Sequence, residues 1–289
     1  MEGELSMSTQ WALVFFTLFA GLGAGLFVAV TATEWLGDAK GARLPAAVVA
    51  LVALIVGGIS SVLHLGHPGR IFGALGHPGS GIFLEMLLIG LTGLGIIVYM
   101  VMLWRGASDS SRRAEATVTS VPAVILSFAV GNSYVMASRP AWHTIVLPLL
   151  YMATAAVMGC FALSVFTSLR SDAVATKRTA LATLIALGIQ VILIIIYLAH
   201  LASAPYADPS RSAGRVLSGS LAALFWAGLV LCGLLIPAGL ALVMRSKKAA
   251  KFSPLAGAAV GLVAVLGGGV AFRALMYGVG SAVKNYFGI

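Results

Sequence analysis

The chain has 289 residues, of which 60% are hydrophobic and 9% charged, and a mean hydropathy of +1.03. A water-soluble domain usually carries about 25% charged residues, so the composition excludes a soluble enzyme with a buried polar core. The formal net charge of +9 is spread between long apolar stretches, which excludes a nucleic-acid binder built on one basic face.

A helix needs about 20 mostly apolar residues to cross the hydrocarbon. Eight such runs follow one another, near 10–33, 45–63, 82–104, 118–137, 145–169, 179–202, 217–244 and 254–277. Apolar residues surround each run instead of alternating with period two, so helices are expected and a transmembrane barrel is not. The expected fold is an all-α integral membrane protein of eight transmembrane helices, with 1–289 as one membrane domain. The first run carries Glu2 and Glu4 on its flank and no Lys or Arg, unlike a cleaved signal peptide. Within it, Gly21 and Gly25 have the four-residue spacing that lets helices approach closely, as do Gly257 and Gly261 in the last run. In a sequence with 34 glycines this is equally the mark of general packing.

The loops after the odd-numbered runs hold Lys40, Arg43, Arg105, Arg112, Arg113, Arg170, Lys177, Arg178, Arg245, Lys247, Lys248 and Lys251, which is 12 of the 18 basic residues. The other side holds Arg70, Arg139, Arg211, Arg215 and Lys284. The positive-inside rule then makes the first side cytoplasmic and puts both termini outside.

After the second run the sequence reads His64-Leu65-Gly66-His67-Pro68-Gly69-Arg70, and the Gly-His-Pro-Gly of 66–69 returns at 76–79. Pro and Gly force turns there. His64 is the last helical residue before the break, where a histidine is often only a partner of the helix dipole. Glu85 lies in the first turn of the third run. With Glu85 on the same hairpin, His64 can form a proton relay that works near neutral pH. The fourth run carries Asn132 and Tyr134 toward its outer end; His143 and His200 lie on that side too. Gln190 falls near mid-membrane. Cys160 and Cys232 are isolated mid-helix, so there is no cysteine cluster for iron–sulfur or structural zinc and no metal site is expected. Arg273 comes roughly 27 Å along the last run, with Tyr277 one turn beyond. Glu85 and Arg273 are the acid and base pushed below the surface, and a pair between helices three and eight is one reading. The alternatives are an acid complementing its helix start and an arginine snorkelling to the interface.

Ser61 to Arg70, read as Ser-x-x-His-Leu-Gly-x-Pro-x-Arg, together with Glu85, resembles the membrane-anchor subunits of the dimethyl sulfoxide reductase type. The resemblance continues in Trp11–Phe27, in Tyr134 with Arg139-Pro140-Ala141-Trp142, and in Arg273 with Tyr277. Leu84 and Asn132 stand where the family often has arginine. The resemblance implies an anchor that holds a molybdopterin catalytic subunit and a four-cluster iron–sulfur subunit to the bacterial inner membrane and exchanges electrons with menaquinone. It also implies His64 as the functional histidine and Glu85 as the functional acid. In that reading His64 and Glu85 handle protons, while Arg70, Tyr134, Arg273 and Tyr277 join them around a quinol among helices two, three, four and eight. No haem is expected, and the iron–sulfur clusters and molybdopterin belong to the partners. The alternatives are a haem b anchor, with His64 and His200 as ligands, a secondary transporter, and a purely structural anchor.

Overall fold

Several helices begin on a serine whose hydroxyl takes up one of the free N–H groups of the first turn. Ser80 Oγ accepts from Phe83 N–H, Ser108 Oγ from Ser111 N–H, and Ser253 Oγ from Ala256 N–H ahead of Pro254 in the first turn. The structure, a computed structural model, describes residues 9–64, 76–77, 79–203, 207–246 and 253–280, with the side chains of 64 and 207–211 outside the described set. Among the described residues the elements are α1 (Trp11–Leu36), α2 (Lys40–His64), α3 (Gly81–Trp104), α4 (Asp109–Asn132), α5 (Val146–Leu169), α6 (Ala173–Ser203), α7 (Ala207–Leu217), α8 (Leu224–Arg245) and α9 (Pro254–Val279). All except α7 are long and apolar enough to cross a membrane, and no strand occurs among the described residues.

The helices pack as two adjacent rings in sequence order. α1 to α4 form one, α5, α6, α8 and α9 the other, and the rings meet chiefly along α1 and α5. These two helices are the most enclosed of the eight. Their backbones touch: a Cβ on Gly25 would overlap the Ala155 carbonyl, and one on Gly159 would overlap the backbone of Gly25. In the last helix, Gly261 gives room to the Phe161 ring. The four-residue glycine spacing of α1 therefore marks a real crossing, though its partner is α5.

The helix ends differ from the sequence expectation in several places, among them the sixth span, which starts at Ala173 instead of near 179. α4 starts at Asp109 instead of near 118 and ends at Asn132, so Tyr134 follows the helix instead of lying in it. A short helix, α7, precedes the seventh span, which begins at Leu224. α1 and α2 run on to Leu36 and from Lys40, which takes Glu34 and Arg43 into helices. Hydropathy drops at charged helix ends, whereas a backbone goes on making its hydrogen bonds where the charges find partners.

Glu34 and Arg43 do so at the end of the bundle that carries most of the basic residues, here termed the basic end. Both side chains are buried, 1% and 2% exposed, and Arg43 Nη1 lies 2.8 Å from Glu34 Oε2. Tyr99 of α3 donates to Glu34 Oε1 at 2.8 Å, and Arg112 of α4 reaches the same oxygen at 3.3 Å. Arg43 also donates to the Thr33 and Asp38 carbonyls. Glu85 and Arg273 are therefore not the sole buried acid and base, and no ion pair joins them among the described residues.

Candidate functional site

At the opposite end, where α1 starts and α2 ends, the first ring encloses a cavity of about 430 Å³. α1 supplies Leu13, Phe16 and Thr17 to its wall, α2 Ser61, α3 Gly81, Ile82 and Glu85, α4 Val130, and the turn after α4 Ser133 and Tyr134. The back wall is deep in the bundle, with Phe16, Thr17 and Val130 all at most 2% exposed, while Ile82 is 48% exposed at the α2–α3 side. A ligand pocket of this size, mostly apolar with a few converging polar groups, suits a small flat organic ring.

Glu85 is 8% exposed, and Ser133 Oγ lies 2.6 Å from its Oε1 and 3.1 Å from the Ala129 carbonyl oxygen. A hydroxyl has one proton to give. While Glu85 is a carboxylate, Ser133 donates to it; once Glu85 is protonated, its own O–H can donate to Ser133, whose proton then serves the Ala129 carbonyl. The serine thus holds the acid in one orientation through both protonation states. Nothing in the sequence singles out Ser133, although it stands between Asn132 and Tyr134, both of which do stand out. Asn132 is exposed.

Tyr134 is fixed by its ring and by its hydroxyl. The ring stacks on Tyr151 at 5.8 Å and meets Trp142 and Tyr277 edge-on at 5.4 and 6.0 Å. The hydroxyl lies 3.1 Å from that of Tyr277. The turn that carries Tyr134 is tied down residue by residue. Arg139 donates to the Gly280 carbonyl, and His200 Nε2 lies 3.2 Å from the Pro140 carbonyl. Tyr197 donates to the Ala141 carbonyl at 2.8 Å, and Trp142 Nε1 to that of Met276 at 2.7 Å. The Arg-Pro-Ala-Trp motif is therefore a clamp that seats the cavity tyrosine. Since a carbonyl only accepts, the hydrogen bond to Pro140 is made by the tautomer of His200 with its proton on Nε2.

Arg273 is fully buried and stands one layer behind the wall. It donates from Nε to Thr17 Oγ1 at 2.7 Å, from Nη2 to the Thr17 carbonyl at 2.9 Å and from Nη1 to the Gly269 carbonyl at 3.0 Å, and it lies over the Tyr151 ring at 5.0 Å. No carboxylate comes within 4 Å of it among the described residues. Its charge thus reaches the cavity through Thr17, a wall residue of the Trp11–Phe27 segment to which the sequence assigns no role.

Of the residues expected at the site, Glu85 and Tyr134 line the cavity, while Arg273 and Tyr277 support it from α9. Arg70 and the side chain of His64 lie outside the described residues. The backbone of His64 ends α2 three residues beyond the cavity residue Ser61. The site expected among helices two, three, four and eight is instead walled by α1 to α4, with the last helix behind.

The family described as DMSO reductase anchor subunit (DmsC) matches this protein over residues 6–279. The protein is also similar to the C chain of the anaerobic dimethyl sulfoxide reductase of Escherichia coli (strain K12), with 28% identity over 152 residues, which is 50% of this protein and 53% of that one. The alignment thus spans about half the length of that curated relative.

Proposed function

Because the protein belongs to the DmsC family of DMSO reductase anchor subunits, we propose that it anchors a molybdopterin oxidoreductase in the bacterial inner membrane and that its cavity takes the ring of a quinol, menaquinol in particular. Eight apolar helices make it a multi-pass membrane protein. The excess of Lys and Arg at the basic end supports placing that end in the cytoplasm and both termini outside. The cavity then opens near the outer surface, and the iron–sulfur subunit, with its four clusters, and the molybdopterin subunit dock on that face.

The observation that carries this reading is a nearly buried carboxylate, Glu85, held by Ser133 in the wall of a cavity large enough for a ring. A bound quinol would supply, on oxidation, two electrons to the docked iron–sulfur subunit and two protons to groups of this protein. Glu85 takes or gives a proton at Oε1, and Ser133 keeps that oxygen aimed in both states. Tyr134, its hydroxyl held by that of Tyr277, offers a group that orients a ring oxygen. Arg273, acting through Thr17, favours negative charge in the cavity while staying out of solvent. His64, at the end of α2, accepts the second proton, and Arg70 follows six residues later in the sequence.

In the assembled complex, Glu85→Gln and His64→Ala are each expected to lower quinol turnover by about 100-fold, the usual scale for removing a general acid–base group, while the partner subunits still copurify. Unchanged turnover in an intact complex refutes the site.

A further inference from the structure

Beside the cavity, an open apolar groove of about 540 Å³ runs down the lipid side of α2 and α3. Its lining includes Gly58 and Val62 of α2 and Ile89, Gly90, Gly93 and Ile97 of α3. The two spaces share a line along α3. Ile82 and Glu85 line the cavity, and Ile89, Gly93 and Ile97 continue from Glu85 at four-residue steps, on one helical face. On α2, Ser61 in the cavity is followed one turn down by Gly58 in the groove. From Glu85 to Ile97 the line covers about 18 Å, slightly more than half the hydrocarbon thickness of about 30 Å.

The glycines of this groove are not packing glycines. A Cβ on the neighbouring Gly57 would lie 2.9 Å from the backbone nitrogen of Ala20 in α1, so that position must be bare. At Gly58 and Gly90 nothing lies within 4 Å of such a Cβ, and at Gly93 the nearest atom is Leu51 Cδ1 at 3.6 Å. Glycine inside a helix costs about 1 kcal/mol relative to alanine, and at Gly58 and Gly90 no close neighbour explains it. What the bare positions do is leave this stretch of the groove open.

We infer that this groove carries the isoprenoid tail of the quinol whose ring the cavity takes, so that the site selects a tailed, membrane-borne quinol over the same ring without a tail. The inference rests on the proposed function above. Lipid tails are as apolar as the groove, so its contribution is shape and not hydrophobic transfer. The tail leaves the cavity along the shared faces of α2 and α3, and the ring enters in one orientation. A lipid acyl tail would fill the groove equally well but would not tie it to the cavity.

The test uses the full complex in lipid nanodiscs with the double variant G58L/G90L, which places two side chains in open space. Two substrates are compared, a 2-methylnaphthoquinol without a tail and the same ring with a tail of several isoprene units. The expected result is that the ratio of kcat/KM, tailed over tail-less, falls by about tenfold, equivalent to about 1.4 kcal/mol. An unchanged ratio overturns the tail path and leaves the groove to lipid. Should the double variant fail to assemble, Gly90→Leu alone, where an added side chain meets open space, is read the same way. Turnover of the tail-less ring that still depends on Glu85 preserves the ring site whatever the ratio does; loss of that dependence sinks the ring site instead.

Discussion

Glu34→Ala is expected to lower the stability of the folded protein by about 3–5 kcal/mol, the range for breaking a buried ion pair from one side. The loss comes from what remains. Arg43 keeps its hydrogen bonds to the Thr33 and Asp38 carbonyls but stays 2% exposed without the carboxylate that neutralised it. Tyr99 loses the acceptor of its hydroxyl in the same step, and Arg112 its contact with Oε1. Four helices, α1 to α4, converge on this one carboxylate, so its removal loosens the end of the ring opposite the cavity. The double variant Glu34→Ala, Arg43→Ala is expected to be more stable than Glu34→Ala alone, because the orphaned charge leaves as well. Thermal unfolding midpoints of the detergent-purified protein, wild type against both variants, measure this. A single variant as stable as wild type removes the cluster from the account.

The second large effect is expected at the α1–α5 crossing. Gly25→Leu places a side chain where the Ala155 carbonyl already lies, and both helices are enclosed by others, so neither can move aside. Overpacking of a rigid interior commonly costs about 1–3 kcal/mol and can cost more. Here the clash is with backbone, and the upper end, about 3 kcal/mol or more, is expected. In membranes, helix association depends on this kind of close backbone approach, because no hydrophobic force separates helix from lipid. The control is Gly188→Leu in α6, where nothing lies within 4 Å of an added Cβ, and it is expected to accumulate like wild type. Yield of monodisperse protein after solubilisation reads both variants. Equal yields would mean that the two helices can part without loss.

Parts of the site were legible because they rest on local chemistry. Glu85 stood out as a carboxyl in an apolar run, and Tyr134 and Tyr277 as polar aromatic residues near the ends of two others; the fold brings all three to the cavity, two in its wall and one behind it. Ser133 did not stand out, since a serine within a membrane helix or at its end commonly satisfies itself on its own backbone, as Ser133 partly does on Ala129. The partner of Arg273 was beyond reach for a different reason. Thr17 is 256 residues away in the sequence, and periodicity carries no information about which helix comes to lie beside which.

The amino-acid sequence by itself determined eight membrane-crossing helices, the gathering of histidines, Glu85 and Arg273 toward one end, and the excess of Lys and Arg at the other. These follow from hydropathy and from the cost of placing charge in hydrocarbon, both properties of single segments. The tertiary structure alone decided that α1 and α5 are central, that Arg273 turns to Thr17 instead of Glu85, that Glu34 and Arg43 neutralise each other, and that α1 walls the cavity. In a bilayer, a lipid-facing and a helix-facing leucine look alike in composition. What separates them is how closely two backbones approach and which polar atoms then meet, and that is settled only when the helices pack.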